Sequence, residues 1–327
     1  MLGGLVVLAC MLSGKDGEGV KAGAKEVTAA QVTAEDAINV LILGTDRQAG
    51  LCDVMMIVNI NFTKGKITVA QIPRDTYAKY TDGSYKKLNG AYNALGGAAQ
   101  VRDFLEKAMG VEIDHYACVG LDTLCQVVDA IGGVDVDLPC DMRYSDAAQG
   151  LHIDLKKGVQ HLDGRLAEQF VRFRSAYVEG DIGRIDAQKL FIAALFNKMA
   201  KEFSASLALK LATCAKNVET DLSASDMLSL GTRVTSVDRG SIALLTLPGE
   251  ECVAKASGAW YYVLSSKAVA RVMTEYFGAA GSFDVDRVFL NDVYEEFKDI
   301  YFGDADVSIV SVTQISENGI DIQIKSK

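Results

Sequence analysis

Proline and histidine are scarce in this chain, with three of each in 327 residues. So few prolines, beside an ordinary 23% of charged side chains, exclude a disordered chain as the dominant state. The histidines (His115, His152 and His161) lack the sequence partners that a Ser-His-Asp arrangement or a zinc site requires. The seven cysteines contain no CxxC pair, and an odd, scattered set is a poor disulfide framework, so they read as small buried apolar residues. Cys52 stands beside Asp53, yet nothing marks it as a nucleophile. Neither GxxxxGK[ST] nor GxGxxG occurs, which removes the glycine-rich phosphate cradles of the P-loop and dinucleotide folds. A basic excess is missing as well: the net charge is −10, which argues against nucleic acid as a partner.

Long apolar runs are also absent. Residues 2–12 are apolar and uncharged, but a bilayer span takes roughly 20 residues. No basic residue precedes them, so they make an incomplete signal peptide. Three readings stand: the end of a clipped membrane anchor, a loose lipoprotein cleavage site at Val7-Leu8-Ala9-Cys10, or an apolar leader of no consequence. The first is the working expectation. It makes 1–14 a partial anchor or leader and 15–36, rich in Gly, Lys, Ala and Glu, a linker.

What is present suits a folded α/β chain. With 49% hydrophobic residues the chain can bury one large core or two modest ones. Asn39-Val40-Leu41-Ile42-Leu43-Gly44 is a continuous apolar run of the kind buried on both faces of a sheet. Asp53 to Ile60 and Lys66 to Ile72 follow as strands, joined by a hairpin turn at Lys64-Gly65. Helical spacing marks Gln100 to Met109, Leu121 to Ile131, Gly164 to Phe173, Ile185 to Glu202, Ser223 to Val234 and Lys267 to Phe277. Asp114 to Val119, Val134 to Leu138 and Ser241 to Leu247 read as strands between them. Such interleaving predicts an α/β sandwich with a mixed central sheet. Near the end, Val307 to Ile315 and Ile320 to Ile324 flank Asn318-Gly319, which predicts a C-terminal β-hairpin at a sheet edge or in a small appendage.

Charges cluster where apolar segments end. Asp46 follows the first strand and Asp53 opens the second; the pair either holds Mg²⁺ through two oxygens or caps local turns. Arg74 follows Pro73 at the end of the third strand, with Asp75 beside it to orient it or accept a proton. Arg172 and Arg174 are two residues apart and diverge on a helix, so they face one ligand only if the backbone extends there. Glu179 and Asp181 offer them a solvated ion-pair cluster as the alternative. Arg184 and Gln188 are neighbours on one helix face near its start, a natural pyrophosphate cradle. Lys87 adds a cation or a plain surface charge. Several guanidinium groups with acidic partners read as a site for a highly charged anion and a metal.

Eight blocks, taken in order, resemble the LytR-CpsA-Psr family of cell-wall glycopolymer ligases. They are residues 39–46, 53–56, 72–75 (Ile-Pro-Arg-Asp), 87–92, 132–136, 158–164, 171–174 (Val-Arg-Phe-Arg) and 183–185. The resemblance implies a three-layer α/β/α fold with a deep apolar groove for a polyprenyl chain. It implies transfer of a glycopolymer, such as a teichoic acid or capsular polysaccharide, from a polyprenyl-pyrophosphate carrier to a peptidoglycan hydroxyl. The setting would be the outer side of the cell membrane, with one N-terminal anchor. By motif, Asp46 and Asp53 would hold Mg²⁺ or Mn²⁺, while Arg74, Lys87, Arg172, Arg174, Arg184 and Gln188 would grip the pyrophosphate. Asp75 is the candidate base, with Arg74, Arg172 and Arg174 as its catalytic company. The family-like domain is expected over 37–282 and a C-terminal extension over 283–327. Two arginines usual in the family are replaced here, by Leu51-Cys52 and by Ala187. A non-catalytic lipid-pyrophosphate binder or regulator, and a polyprenyl-pyrophosphate pyrophosphatase, are the rival readings.

Overall fold

The computed structural model describes residues 36–46, 50–80, 82–202, 204–234, 237–279 and 307–325. The expected anchor at 1–14 and the linker to residue 35 lie outside them. Strands β1 (Ala37–Asp46), β2 (Leu51–Asn61) and β3 (Lys66–Ile72) form an antiparallel meander, with Gly65 at φ +60° in the β2–β3 turn. A small ribbon, β4 (Tyr77–Lys79) with β5 (Tyr85–Lys87), precedes helices α1 (Ala91–Leu95) and α2 (Ala98–Met109). Next come β6 (His115–Gly120), α3 (Leu121–Ala130), β7 (Val134–Leu138), β8 (Met142–Asp146), β9 (Leu151–Leu155) and β10 (Gly158–Leu162). Helices α4 (Gly164–Arg172), α5 (Gly180–Glu202) and α6 (Ala205–Ala215) follow, then β11 (Glu219–Thr220), α7 (Ala224–Val234) and β12 (Ile242–Thr246). The chain closes through β13 (Gly249–Val253), β14 (Trp260–Leu264), α8 (Ser266–Phe277), β15 (Ile309–Ser311) and α9 (Val312–Asn318).

The central sheet runs β11, β6, β1, β2, β3, β12, β15. It is mixed, because β6 pairs with β1 and β12 with β3 in parallel while the other neighbours are antiparallel. Alternation along β1 and β2 divides the interior into two cores. Val40, Ile42 and Met56 face Leu124, Phe170, Phe191 and Leu195 of α3, α4 and α5. Leu41, Leu43 and Ile57 face Val101 and Leu105 of α2 and Val269 and Met273 of α8. Helices therefore cover both faces, the three-layer sandwich expected from the sequence. Gly164 lets α4 start against α3: a Cβ there would lie 2.4 Å from the Cys125 carbonyl oxygen.

Two expectations need correction. The C-terminal hairpin is not formed. Ile309–Ser311 does add to the sheet edge beside β12, but Val312–Asn318 is a helix. Ser311 and Gln314 make a reciprocal capping box, and Gly319 at φ +69° ends the helix. Val312 and Ile315, three apart, bury one face of it. The Asn-Gly pair thus stops a helix rather than turning two strands. The second correction concerns α5, which starts at Gly180 rather than Ile185. Gly183 is tolerated inside it because a Cβ would lie 2.7 Å from Tyr177 Cβ, so close packing takes precedence over helix propensity.

Candidate active site

The parallel strands β1 and β6 end together at one rim of the sheet, where open α/β sheets bind ligands. There the β1–β2 ladder slips: Gly44 pairs with Val54, but Thr45 pairs with Cys52, leaving Asp53 as the extra residue. Such a bulge re-aims side chains. Cys52 turns into the core with Met55 and Ile57, and Asp53 lines the rim of a cavity on the opposite face. Burial drives the Cys52 thiol upward in pKa, which agrees with a packing role.

Arg74 emerges from the turn after Pro73, where the Thr76 hydroxyl and amide both donate to the Pro73 carbonyl. Its Nη1 lies 2.6 Å from Asp53 Oδ1 and its Nε 3.0 Å from Asp181 Oδ1. Asp181 sits in the first turn of α5, where the helix dipole favours a carboxylate, and also meets Arg184 Nη2 at 2.8 Å. Two strand ends and one helix start are thereby joined by alternating charges. Burial opposes ionisation of Asp53, but the charge and hydrogen bond of Arg74, aided by Arg184, outweigh it and lower its pKa. Burial likewise works against the Arg74 cation, yet Asp181 and Asp53 raise its pKa overall. For Arg184 burial prevails and the pKa falls, despite Asp181. Asp181 accordingly belongs to Arg74 and Arg184, not to a solvated cluster with Arg172 and Arg174, and it occupies the helix start that was expected to cradle pyrophosphate.

Helix α4 stops at Arg172, and Phe173 is extended at φ −67°, ψ 136°. This is the break that allows Arg172 and Arg174 to line the same cavity. Glu168 holds Arg172 Nη1 at 2.9 Å, whereas Arg174 is exposed at the mouth. Gln188, 2% exposed, donates to the Val171 carbonyl at 2.9 Å and accepts from Gln71 Nε2 at 3.2 Å. It therefore ties β3 to the end of α4 and positions the arginines as well as lining the cavity. The loop after Arg174 is pinned from the C-terminal segment. Val178 N donates to the Gln323 carbonyl at 3.0 Å, and Lys325 N to the Ala176 carbonyl at 2.8 Å. Glu168, Gln71 and this C-terminal clip were missed from sequence, and Asp181 was read only as an alternative partner of Arg172 and Arg174; Glu168, four residues before Arg172, and Asp181, three before Arg184, carried a local signal.

The cavity measures about 360 Å³. It is lined by Asp53, Arg74, Arg172, Arg174, Arg184 and Gln188 and by the apolar side chains of Val54, Val119, Leu121, Leu124 and Leu151, with Tyr144 beside them. That is the lower part of the size range of small-molecule sites, roughly 300–1,000 Å³: room for a diphosphate and the first units of an apolar tail, less than the deep groove expected. Lys87 and Asp75 lie behind Arg74 instead, paired with each other at 3.0 Å. Asp75 Oδ1 is 3.9 Å from Arg74 Nε. Asp46 ends β1 opposite Leu51, two residues before Asp53; its side chain is outside the described ones. Among the described residues no three acidic, histidine or cysteine side chains form a metal cage. An ionised Asp53 at the rim suits Mg²⁺, which binds through one or two carboxylates and substrate phosphates. The positions of the two replaced family arginines, Cys52 and Ala187, are both 0% exposed, so in this chain they serve packing.

Fold and site together define an α/β protein in which arginines and apolar side chains line one cavity at the sheet rim. The chain belongs to the LytR_cpsA_psr family, whose model matches residues 10–277. It is 32% identical over 253 residues to the polyisoprenyl-teichoic acid–peptidoglycan teichoic acid transferase TagU of Oceanobacillus iheyensis, covering 75% of this chain and 76% of that protein. Its identity to the corresponding transferase TagV of Bacillus subtilis is 30% over 223 residues, 67% of this chain and 57% of the relative. The crystal structure of B. subtilis TagV superposes with a TM-score of 0.65 at 25% identity, covering 76% of this chain and all of that one (100%).

Proposed function

We propose that this chain transfers a glycopolymer from a polyprenyl-pyrophosphate carrier to a peptidoglycan hydroxyl, forming a phosphodiester. The observation that carries the reading is the convergence of Arg74, Arg172, Arg174 and Arg184 on one cavity with an apolar wall. The names of the TagU and TagV relatives support the same substrates.

In this reaction the acceptor hydroxyl oxygen bonds to the phosphorus that carries the glycopolymer. The bridging P–O bond of the diphosphate breaks, and prenyl phosphate leaves with the electron pair. Charge builds on the phosphate oxygens, where guanidinium groups fixed by Asp181, Glu168 and Asp53 stabilise it without reorganisation. An acceptor that approaches from the Asp75 side of Arg74 gives its hydroxyl proton to Asp75, which Lys87 orients from 3.0 Å. Asp53, with Asp46, would hold Mg²⁺ or Mn²⁺, which neutralises phosphate charge when bound. Prenyl units against Leu124, Leu151 and Val119 add roughly 0.8 kcal/mol per buried CH₂. Among the described residues no helix is long and apolar enough to cross a membrane. Apolar residues 2–12 support a single anchor in the cell membrane with the catalytic domain outside.

The test is turnover of a prenyl-diphosphate-linked saccharide with divalent metal and peptidoglycan. Phosphodiester product that depends on acceptor is expected. Donor binding without product would leave a binder or regulator, and equal donor cleavage without acceptor would leave a pyrophosphatase.

A further inference from the structure

We infer that the β13–β14 hairpin is a platform for a neutral saccharide, the chemical class of an acceptor glycan strand. Trp260 is the only tryptophan of the chain, and it is 61% exposed. Its cross-strand partner Val253 is 44% exposed. Among the described residues Trp260 is the most exposed large ring, ahead of Tyr144 at 42%, so an indole with its cross-strand neighbour offers an apolar surface to a ligand.

The platform is rigid and joined to the site. Tyr262 N donates to the Asp75 carbonyl at 2.8 Å, and Tyr262 bridges Thr76 in parallel register. The Tyr262 hydroxyl is anchored on the Leu247 carbonyl at 3.0 Å. Tyr261 meets Tyr77 edge-on at 4.9 Å and lies under Lys87 Nζ at 5.9 Å. Beside these rings a shallow recess of about 20 Å³ is lined by Asp75, Asp181, Glu251, Trp260 and Tyr261, among others. A ligand lies across it rather than inside it.

Rings next to carboxylates suit a sugar: its C–H faces stack on the aromatic surface while its hydroxyls donate to Asp75 and Glu251. The same carboxylates repel a second phosphate. Burial, then Asp181, Asp75 and Glu179, raises the pKa of Glu251, while Lys87 lowers it. Asp181 is shared: it lines the recess and holds Arg74 and Arg184 of the phosphate cavity. The Arg74–Asp181 pair thus links the recess, which Asp181 lines, to the phosphate cavity, which Arg74 lines. Its role as acceptor rests on the transfer reaction proposed above; its binding does not.

The experiment uses the lone indole as its own reporter. A β-1,4-linked N-acetylglucosamine tetramer is titrated into the full chain while tryptophan emission is followed. A saturable change is expected, and calorimetry should show Trp260→Ala weakening the tetramer by about tenfold or more. Circular dichroism and the melting temperature of that variant should stay as in the parent. In the transfer assay the variant should raise the KM for acceptor by a similar factor and leave donor binding unchanged. No emission change at millimolar tetramer, unaltered affinity in Trp260→Ala, or a response to lipid vesicles in place of the saccharide would each overturn the platform. A platform that binds the tetramer in a protein without transfer activity would sink the transfer reading alone.

Discussion

The two faces of the central sheet draw on the same strands, yet one is packed solid and the other opens at its rim. On the packed face, Leu41, Leu43, Met55 and Ile57 meet α2, α8 and the segment around Leu88, all at or near zero exposure. On the open face, α4 ends at Arg172, and Arg172, Arg174, Val54 and Val119 all line the cavity. The chain leaves in extended form at Phe173, which turns Arg172 and Arg174 to the same cavity. Hairpin β8–β9 closes the gap only in part, through Tyr144 and Leu151. The difference teaches that this cavity arises from an early helix stop, and that its charges are held by through-space partners rather than by the packing below.

If so, stability and activity should separate differently on the two faces. The largest effect is expected from Arg184→Ala. It strips the buried Asp181 of one cation, and removing a partner from a buried pair costs about 3–5 kcal/mol, so urea unfolding should show that loss together with loss of transfer. A cost below about 1 kcal/mol would mean that Arg74 alone satisfies Asp181. Arg174→Ala should divide the two readouts. Its exposed side chain should leave stability within about 0.5 kcal/mol, while transfer falls by about 10²–10³. Near-normal activity in that variant would make Arg174 structural or dispensable.

The packed face supplies the control. Ile57→Val should cost about 0.5–1.5 kcal/mol, with unchanged turnover per folded molecule. A changed KM for donor would show that the faces communicate. The smallest effect is one of pH. Asp53 has a folded pKa below its unfolded value, so the stabilisation it brings is present above the ordinary carboxylate range, near pH about 4. It is lost as pH falls through the depressed value. The melting-temperature gap between the parent and Asp53→Asn should therefore be flat at neutral pH and shrink in acid. A gap that instead widens in acid would reverse the assigned direction.

Much of this was legible in advance. The i, i+4, i+7 apolar spacing of Val101, Leu105 and Ala108 marked α2, and the unbroken Val40–Leu43 run marked a strand buried on both faces. The requirement that Arg172 and Arg174 be joined by extended backbone followed from helix geometry and is met at Phe173. The C-terminal hairpin failed because Asn318-Gly319 was weighed without the Ser311–Gln314 capping box seven residues upstream. The bulge at Asp53 has no sequence mark beyond one acidic residue near the start of a largely apolar strand.

Alternation and helical period are local properties, so the order of residues alone determined which side chains face which layer, and with them the sandwich and the rim where charges collect. The choice of partners belonged to the tertiary structure. Asp181 meets Arg74 across 107 positions of chain, and Ala176 meets Lys325 across 149. Ion pairs and hydrogen bonds depend on distance in space, and that distance is set only when β3, α5 and the C-terminal segment pack on the same sheet.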